Sequence, residues 1–337
     1  LAKHKNLGVK TFQAEDEIAA ICSAIGASFA GALAITTTSG PGLALKGEAL
    51  GLAMITELPL IVVNVQRGGP STGLPTKTEQ SDLFQALYGR NGESPIVVIA
   101  ASTPGNCFDW AYEASRIALE HNTPVVLLSD GYLGNGAEPW KIKSVKDMQD
   151  ITPLIAKEGE DYQPYARSDE KLARKHAIPG TVGLEHRLGG LEKDNLTGDV
   201  SYDPENHETM CRIRAEKVEK IAGFIPKQKV FGEKKGDVLV VGWGGTYGHL
   251  YSSVKELRLY GKDISLTHFN YINPLPKNTA DIFKNFKTIV VCEINKGQFV
   301  NYLRMKLPEF KFVQFNRVQG LPFKTTELKE HFNTLLS

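Results

Sequence analysis

Three short apolar runs of one design constrain this chain more than any other feature. They are Leu58-Pro-Leu-Ile-Val-Val-Asn-Val65, Ser94-Pro-Ile-Val-Val-Ile-Ala100 and Thr123-Pro-Val-Val-Leu-Leu-Ser129. Each is continuous and β-branched, with proline near its start. Such runs suit strands buried on both faces of a parallel sheet, where proline is tolerated at the first residue. Ala32–Thr37 reads as a fourth strand. Helical patterns lie between them: Glu15–Ala30, Leu43–Ile55, and Pro104–His121 with Thr103 as N-cap and Pro104 at the first position. Strands alternating with helices predict βαβ units and an α/β fold.

Residues 135–225 read differently, as a polar, turn-rich connection with little core, closing on a polar surface or bridging helix over Pro204–Gly223. The α/β pattern then returns, with strands at Asp237–Gly242, Ile264–Phe269 and Thr288–Cys292 and helices at Thr246–Tyr260 and Gln298–Lys306. At 337 residues the chain holds about two domains. The expected division is 1–140, a linker over 141–225, and 226–337.

Charge is balanced, 39 Lys+Arg against 38 Asp+Glu, so nothing drives a phosphate-tracking nucleic-acid binder. The most apolar stretch, Ala49–Val65, carries Glu57, Pro59 and Asn64 and does not span a bilayer. The four cysteines, Cys22, Cys107, Cys211 and Cys292, show no CxxC spacing, so no zinc, iron–sulfur or disulfide framework is expected, and a reducing cytoplasm is. No HExxH or GxSxG motif appears, and no metal site is expected. The chain opens at Leu1 rather than Met, on residues that read as the tail of a helix.

Several motifs stand out. Thr36-Thr-Thr-Ser-Gly-Pro-Gly42 follows a strand, and its glycines allow close approach of a ligand, though an ordinary strand-to-helix turn reads the same way. Glu17 opens a small-residue helix nine residues before Gly26. A first-turn acid favouring the helix dipole is the plainer alternative. Val65-Gln-Arg-Gly-Gly-Pro-Ser-Thr72-Gly-Leu-Pro-Thr76-Lys77-Thr-Glu-Gln-Ser-Asp82 lies where parallel sheets bind ligands, and Arg67 could grip a carboxylate bidentately. Gly242-Trp-Gly-Gly-Thr-Tyr-Gly248 fails the dinucleotide fingerprint, because Tyr247 holds the third glycine's place, and reads as a structural turn.

Together with Gln13-Ala-Glu-Asp-Glu-Ile-Ala-Ala20, Gly183-Leu-Glu-His-Arg187, Val200-Ser-Tyr-Asp-Pro-Glu-Asn-His207, Asn273-Pro-Leu-Pro276 and Val318-Gln-Gly-Leu-Pro-Phe323, these motifs resemble the alpha subunits of 2-oxoacid:ferredoxin oxidoreductases, most closely the 2-oxoglutarate type. The resemblance implies two parallel-sheet, three-layer αβα domains: a thiamine diphosphate pyrimidine-binding domain and a transketolase C-terminal-like domain. It implies that Glu17 hydrogen-bonds the aminopyrimidine ring and so promotes deprotonation of thiazolium C2. Thr38, Ser39, Gly40, Pro41 and Gly42 would contact the cofactor, and Arg67, Thr72, Thr76 and Lys77 the substrate. The 2-oxoacid would lose CO2, coenzyme A would take the acyl group, and electrons would pass to ferredoxin. The resemblance further implies a beta subunit that holds the diphosphate with Mg2+ and an iron–sulfur cluster, in an (αβ)2-type assembly. It also implies a segment ahead of Leu1, bearing the first strand and a threonine-bearing loop, and often a gamma-like domain. A decarboxylase or transferase subunit, and a non-catalytic partner, are the alternatives.

Overall fold

The computed structural model describes residues 3–336; Leu1 and Ala2, in the expected helix tail, lie outside them. From Lys3 the chain enters as a turn and a 3-10 turn at Lys5–Leu7, with no α-helix before α1. The first half forms α1 (Glu17–Phe29), β1 (Ala34–Thr38), α2 (Gly40–Leu45), α3 (Gly47–Ile55), β2 (Leu60–Gln66), α4 (Leu83–Tyr88), β3 (Val97–Ala100), α5 (Cys107–His121), β4 (Pro124–Asp130) and α6 (Gly131–Asn135). After a long irregular stretch come α7 (Pro204–Lys220), β5 (Gly236–Trp243), α8 (Tyr247–Leu259), β6 (Ile264–Phe269), β7 (Tyr271–Asn273), α9 (Thr279–Phe283), β8 (Phe286–Glu293), α10 (Gln298–Lys306), β9 (Phe312–Asn316) and α11 (Thr325–Leu335).

Two sheets result. One has the order β1-β2-β4-β3-β7 and the other β6-β5-β8-β9. All pairings are parallel except β3 with β7, which is antiparallel. The proline-led runs are therefore strands buried on both faces. Leu60, Val62, Val126 and Leu128 pack toward α1, α3 and α4, while Ile61, Val125 and Leu127 pack toward α5. The second sheet alternates likewise, Val238 and Val240 toward α8 and α11, Leu239 and Val241 toward α9 and α10. Burying each such side chain contributes about 1.5–3 kcal/mol. Leu239, Val241 and Trp243 share one core with the first sheet. β7 also crosses over, pairing Tyr271 with Ile99.

Two local expectations are corrected, and a third is sharpened. The helix expected over Leu43–Ile55 starts earlier, at Gly40, and breaks at Lys46, so the Ser-Gly-Pro-Gly run is the first turn of a helix rather than a loop. The helix expected from Pro104 begins at Cys107. There the Asn106 Oδ1 accepts the Ser102 and Thr103 amides, both at 3.0 Å, and turns residues 103–106 out of the helix. α7 is a bridging surface helix: one face is solvated, and Met210, Arg214, Lys217 and Val218 are buried on the other.

The irregular stretch is tied down by charge as well as by the small cluster of Ala156, Ala177 and Leu184. Glu57, fully buried at the end of α3, pairs with Arg167 of the connection and with Lys217 of α7. The Lys217 Nζ lies 2.8 Å from its Oε2 and 2.7 Å from the Asn122 carbonyl. Glu57 has φ +51°, a left-handed post-helix position that favours glycine. A glutamate is held there because its carboxylate is the shared anion of the network. Among the described residues no helix is long and apolar enough to cross a membrane.

Candidate functional site

Parallel strands deliver β1, β2 and β4 to a common edge, where the chain leaves Thr38, Gln66 and Asp130. The second sheet brings Trp243 and Glu293 to the same place through one residue. Gln80, fully buried, donates to the Trp243 carbonyl (2.7 Å), accepts from the Ile294 amide (3.0 Å), and offers its own carbonyl to Asn295 Nδ2 (2.9 Å). The Gly242–Gly248 turn is structural, as its sequence indicates. The Gly245 amide donates to Asp130 Oδ2 (3.1 Å), whose other oxygen caps α6 through the Tyr132 (2.9 Å) and Leu133 (3.0 Å) amides. Burial pushes the Asp130 carboxyl above its ordinary range, and these donors work against that.

The Thr38–Gly42 motif has a physical reason. A Cβ on Gly42 would fall 2.0 Å from Thr38 Oγ1 and 2.9 Å from Glu17 Oε1. One on Gly40 would fall 2.8 Å from Asp82 Oδ1. Each glycine of the turn thus makes room for a carboxylate. Ser39 takes the N-cap position and Pro41 the second helical position.

Glu17 is the first residue of α1, half-buried, behind the Asp16 N-cap, whose Oδ1 accepts the Ala19 amide at 2.7 Å. The Lys46 side chain, fully buried at the α2–α3 break, donates to the Glu17 carbonyl at 2.7 Å. Burial holds the Lys46 ammonium below its ordinary pKa, against the pull of the Glu17 and Asp16 charges. The spacing from Glu17 to Gly26 has no structural counterpart, since Gly26 faces open space.

A cleft of about 670 Å³ opens on the other glycine of the turn, lined by Gly40, Pro41, Arg67, Asp82, Asn295 and Lys296 among others. Arg67 is half-buried, and its Nε is buried without a hydrogen-bond partner. Asp82 accepts from Asn64 Nδ2 (2.9 Å) and Ser81 Oγ (2.8 Å), and burial raises its pKa against those bonds and the Arg67 charge. Thr72, Thr76 and Lys77 are exposed and lie outside the lining of this cleft. Their loop is pinned by the Gly68 amide on the Lys77 carbonyl (3.0 Å) and the Leu74 amide on the Gly68 carbonyl (2.8 Å). The structure thus groups Glu17 with Thr38 and Gly42, and Arg67 with Gly40, Pro41 and Asp82. Sequence reasoning missed Lys46, Asp82, Asn295 and Lys296. A lone lysine in the apolar run Leu43–Met54 was a visible signal for the first; the last two come from the far sheet and gave none.

Residues 1–201 match the family described as pyruvate flavodoxin/ferredoxin oxidoreductase, thiamine diphosphate-binding. The chain belongs to this family. It is 50% identical over 340 residues to the 2-oxoglutarate oxidoreductase subunit KorA of Mycobacterium tuberculosis, covering 100% of this chain and 51% of that protein. It is 35% identical over 320 residues to the 2-oxoglutarate synthase subunit KorA of Archaeoglobus fulgidus, covering 94% and 84%. Its structure superposes with a TM-score of 0.93 on a 2-oxoglutarate:ferredoxin oxidoreductase from Magnetococcus marinus with 2-oxoglutarate, coenzyme A and succinyl-CoA bound, at 34% identity, covering 100% of this chain and 59% of that one. The chain spans about half the length of the mycobacterial relative. A split-gene transketolase, TM-score 0.52 at 12% identity, shares the fold alone. As a member of this oxidoreductase family, the chain presents its glutamate and arginine on two sides of one glycine-bearing turn.

Proposed function

We propose that this chain is the alpha part of a thiamine diphosphate-dependent 2-oxoacid:ferredoxin oxidoreductase acting on 2-oxoglutarate. The supporting observation is the Glu17 carboxylate beside Gly42. A side chain at 42 would collide with Thr38 and Glu17, so glycine lets the carboxylate and the Thr38 hydroxyl close against the backbone of the turn, where the carboxylate can meet a ring laid beside it. The residues therefore fit the aminopyrimidine end of the cofactor. Glu17 would hold the hydrogen bond to the ring and manage its proton, while the Thr38–Gly42 turn gives the ring its wall. When bound, thiamine diphosphate supplies the carbon nucleophile and the electron sink that decarboxylation of a 2-oxoacid requires.

Arg67, whose Nε has no hydrogen-bond partner, would offer its guanidinium to a carboxylate of the substrate, and its planar fork matches that group. Thr72, Thr76 and Lys77 would join it only through movement of their loop or closure by a partner. A beta subunit would hold the diphosphate, Mg2+ and the iron–sulfur cluster across this strand edge, in an (αβ)2-type assembly, with coenzyme A and ferredoxin as acceptors. A cytoplasmic setting suits the four free cysteines.

The test is reconstitution. The full chain alone should reduce no viologen dye. Combined with its beta partner it should show 2-oxoglutarate- and coenzyme A-dependent dye reduction. Tight stoichiometric cofactor binding by the isolated chain would contradict the shared site.

A further inference from the structure

Lys296 is a cation without a visible partner. Its side chain is exposed and, among the described residues, makes no ion pair or side-chain hydrogen bond, and it lines the same cleft as Arg67. The loop that carries it is held by hydrogen bonds. Asn295 Oδ1 accepts the Gly297 (2.7 Å) and Gln298 (3.0 Å) amides, and Gly297 takes φ +89°. Gln298 then bridges the sheets, donating to the Ser81 carbonyl (2.9 Å) and accepting the Phe84 amide (2.9 Å). Glu293, fully buried, receives the Phe299 (2.8 Å) and Val300 (3.0 Å) amides and fixes the start of α10. A long side chain is thus anchored at its root and left free at its tip.

The acids of this cleft do not claim it. Asp82 is satisfied by Asn64 and Ser81. Glu79 is buried against the Gly69 and Gly320 amides, and burial raises its pKa against those bonds. Two cations, one from each sheet, therefore face a cleft whose carboxylates are already occupied. Its volume of about 670 Å³ far exceeds what a five-carbon acid needs.

We propose that Lys296 is the specificity-determining contact for the distal carboxylate of a dicarboxylic 2-oxoacid, Arg67 taking the other end. This rests on the proposed function and goes beyond it, because it assigns substrate choice to the second sheet. Lysine suits the role: a point charge on a flexible stem can follow a mobile terminal carboxylate, whereas the fork of arginine fixes the reacting end.

The experiment compares 2-oxoglutarate with 2-oxovalerate, which lacks the distal carboxylate, in dye-linked assays of the chain with its beta partner. For Lys296→Gln the ratio of kcat/KM for 2-oxoglutarate over 2-oxovalerate should fall at least about tenfold, through KM, as expected for a lost charged hydrogen bond. Lys296→Arg should recover part of it. A ratio within about twofold of wild type overturns the proposal, as does an equal loss on both acids or a change confined to the KM for coenzyme A. If the wild-type complex oxidises neither acid, the proposed function fails. Calorimetry of 2-oxoglutarate binding then decides on Lys296 separately, and unaltered affinity in Lys296→Gln overturns its role.

Discussion

Lys46 places its ammonium nitrogen 2.7 Å from the backbone carbonyl of Glu17, across 29 residues of sequence and with no exposed surface of its own. Burying a lysine to hold one carbonyl is unfavourable for folding unless the charge is paired and hydrogen-bonded. This contact fixes the residue whose carboxylate faces the glycine turn.

Lys46→Met should therefore separate stability from function. Methionine fills the space and removes a buried charge, so the melting temperature should hold or rise. Exchange of the cofactor C2 proton in the complex should slow by about tenfold or more. Equal exchange rates would mean that Lys46 serves packing alone.

Gly42→Ala tests the space beside Glu17. The new Cβ would fall 2.7 Å from Glu17 Cγ, so the carboxylate must move. Overpacking of this kind costs about 1–3 kcal/mol, and a displacement near 1 Å at a reacting group costs on the order of 10² in rate. Denaturant unfolding and dye-linked turnover check the two. Normal turnover in a folded Gly42→Ala complex would show that the carboxylate has room to spare.

Arg67→Ala should lower kcat/KM for the 2-oxoacid at least about tenfold, from the loss of a charged hydrogen bond of about 1.5–3 kcal/mol. Arg67→Lys should not restore it fully, since lysine lacks the fork. Steady-state kinetics with intact cofactor binding would reveal this. An unaltered kcat/KM in both variants would move the substrate elsewhere.

The Glu57 network governs acid stability. Burial would raise the Glu57 carboxyl, but Lys217, Arg167 and Arg174 bring it down from 4.5 to about 2. A depressed carboxylate contributes stability that is present above its unfolded pKa, near pH 4.5, and is lost as pH falls toward about 2. Wild type should lose stability across that window. Glu57→Gln should be destabilised by about 3–5 kcal/mol at neutral pH, because it leaves buried cations unpaired, and its residual stability should fall less between pH 4.5 and 2. Urea midpoints against pH measure both. Parallel curves for the two proteins would remove Glu57 as the titrating group.

Much of the fold was legible because burial on both faces leaves a plain mark: β6 and α10 match their sequence bounds, and the proline-led strands fall within a few residues of theirs. What escaped was what depends on distant partners. β7 is three residues long and exists because β3 offers it an edge. α7 read as a surface or bridging helix because its buried Arg214 and Lys217 are polar; Glu192, Glu57 and the Asn122 carbonyl explain their burial. In the site, the glycine turn, Glu17 and Arg67 were legible as residue types at strand and helix ends. The reason for each glycine was not, since it requires knowing which carboxylate comes to rest above it.

The account turns on Glu17 acting on the cofactor from this chain. The most direct measurement is the rate of hydrogen–deuterium exchange at the C2 position of thiamine diphosphate, followed by NMR in the assembled complex, for wild type and Glu17→Gln. Proton-transfer assistance of this kind contributes about 10²- to 10⁴-fold. Glu17→Gln should slow exchange by that order while thermal unfolding stays near wild type. Exchange at the wild-type rate in the variant would contradict the assignment.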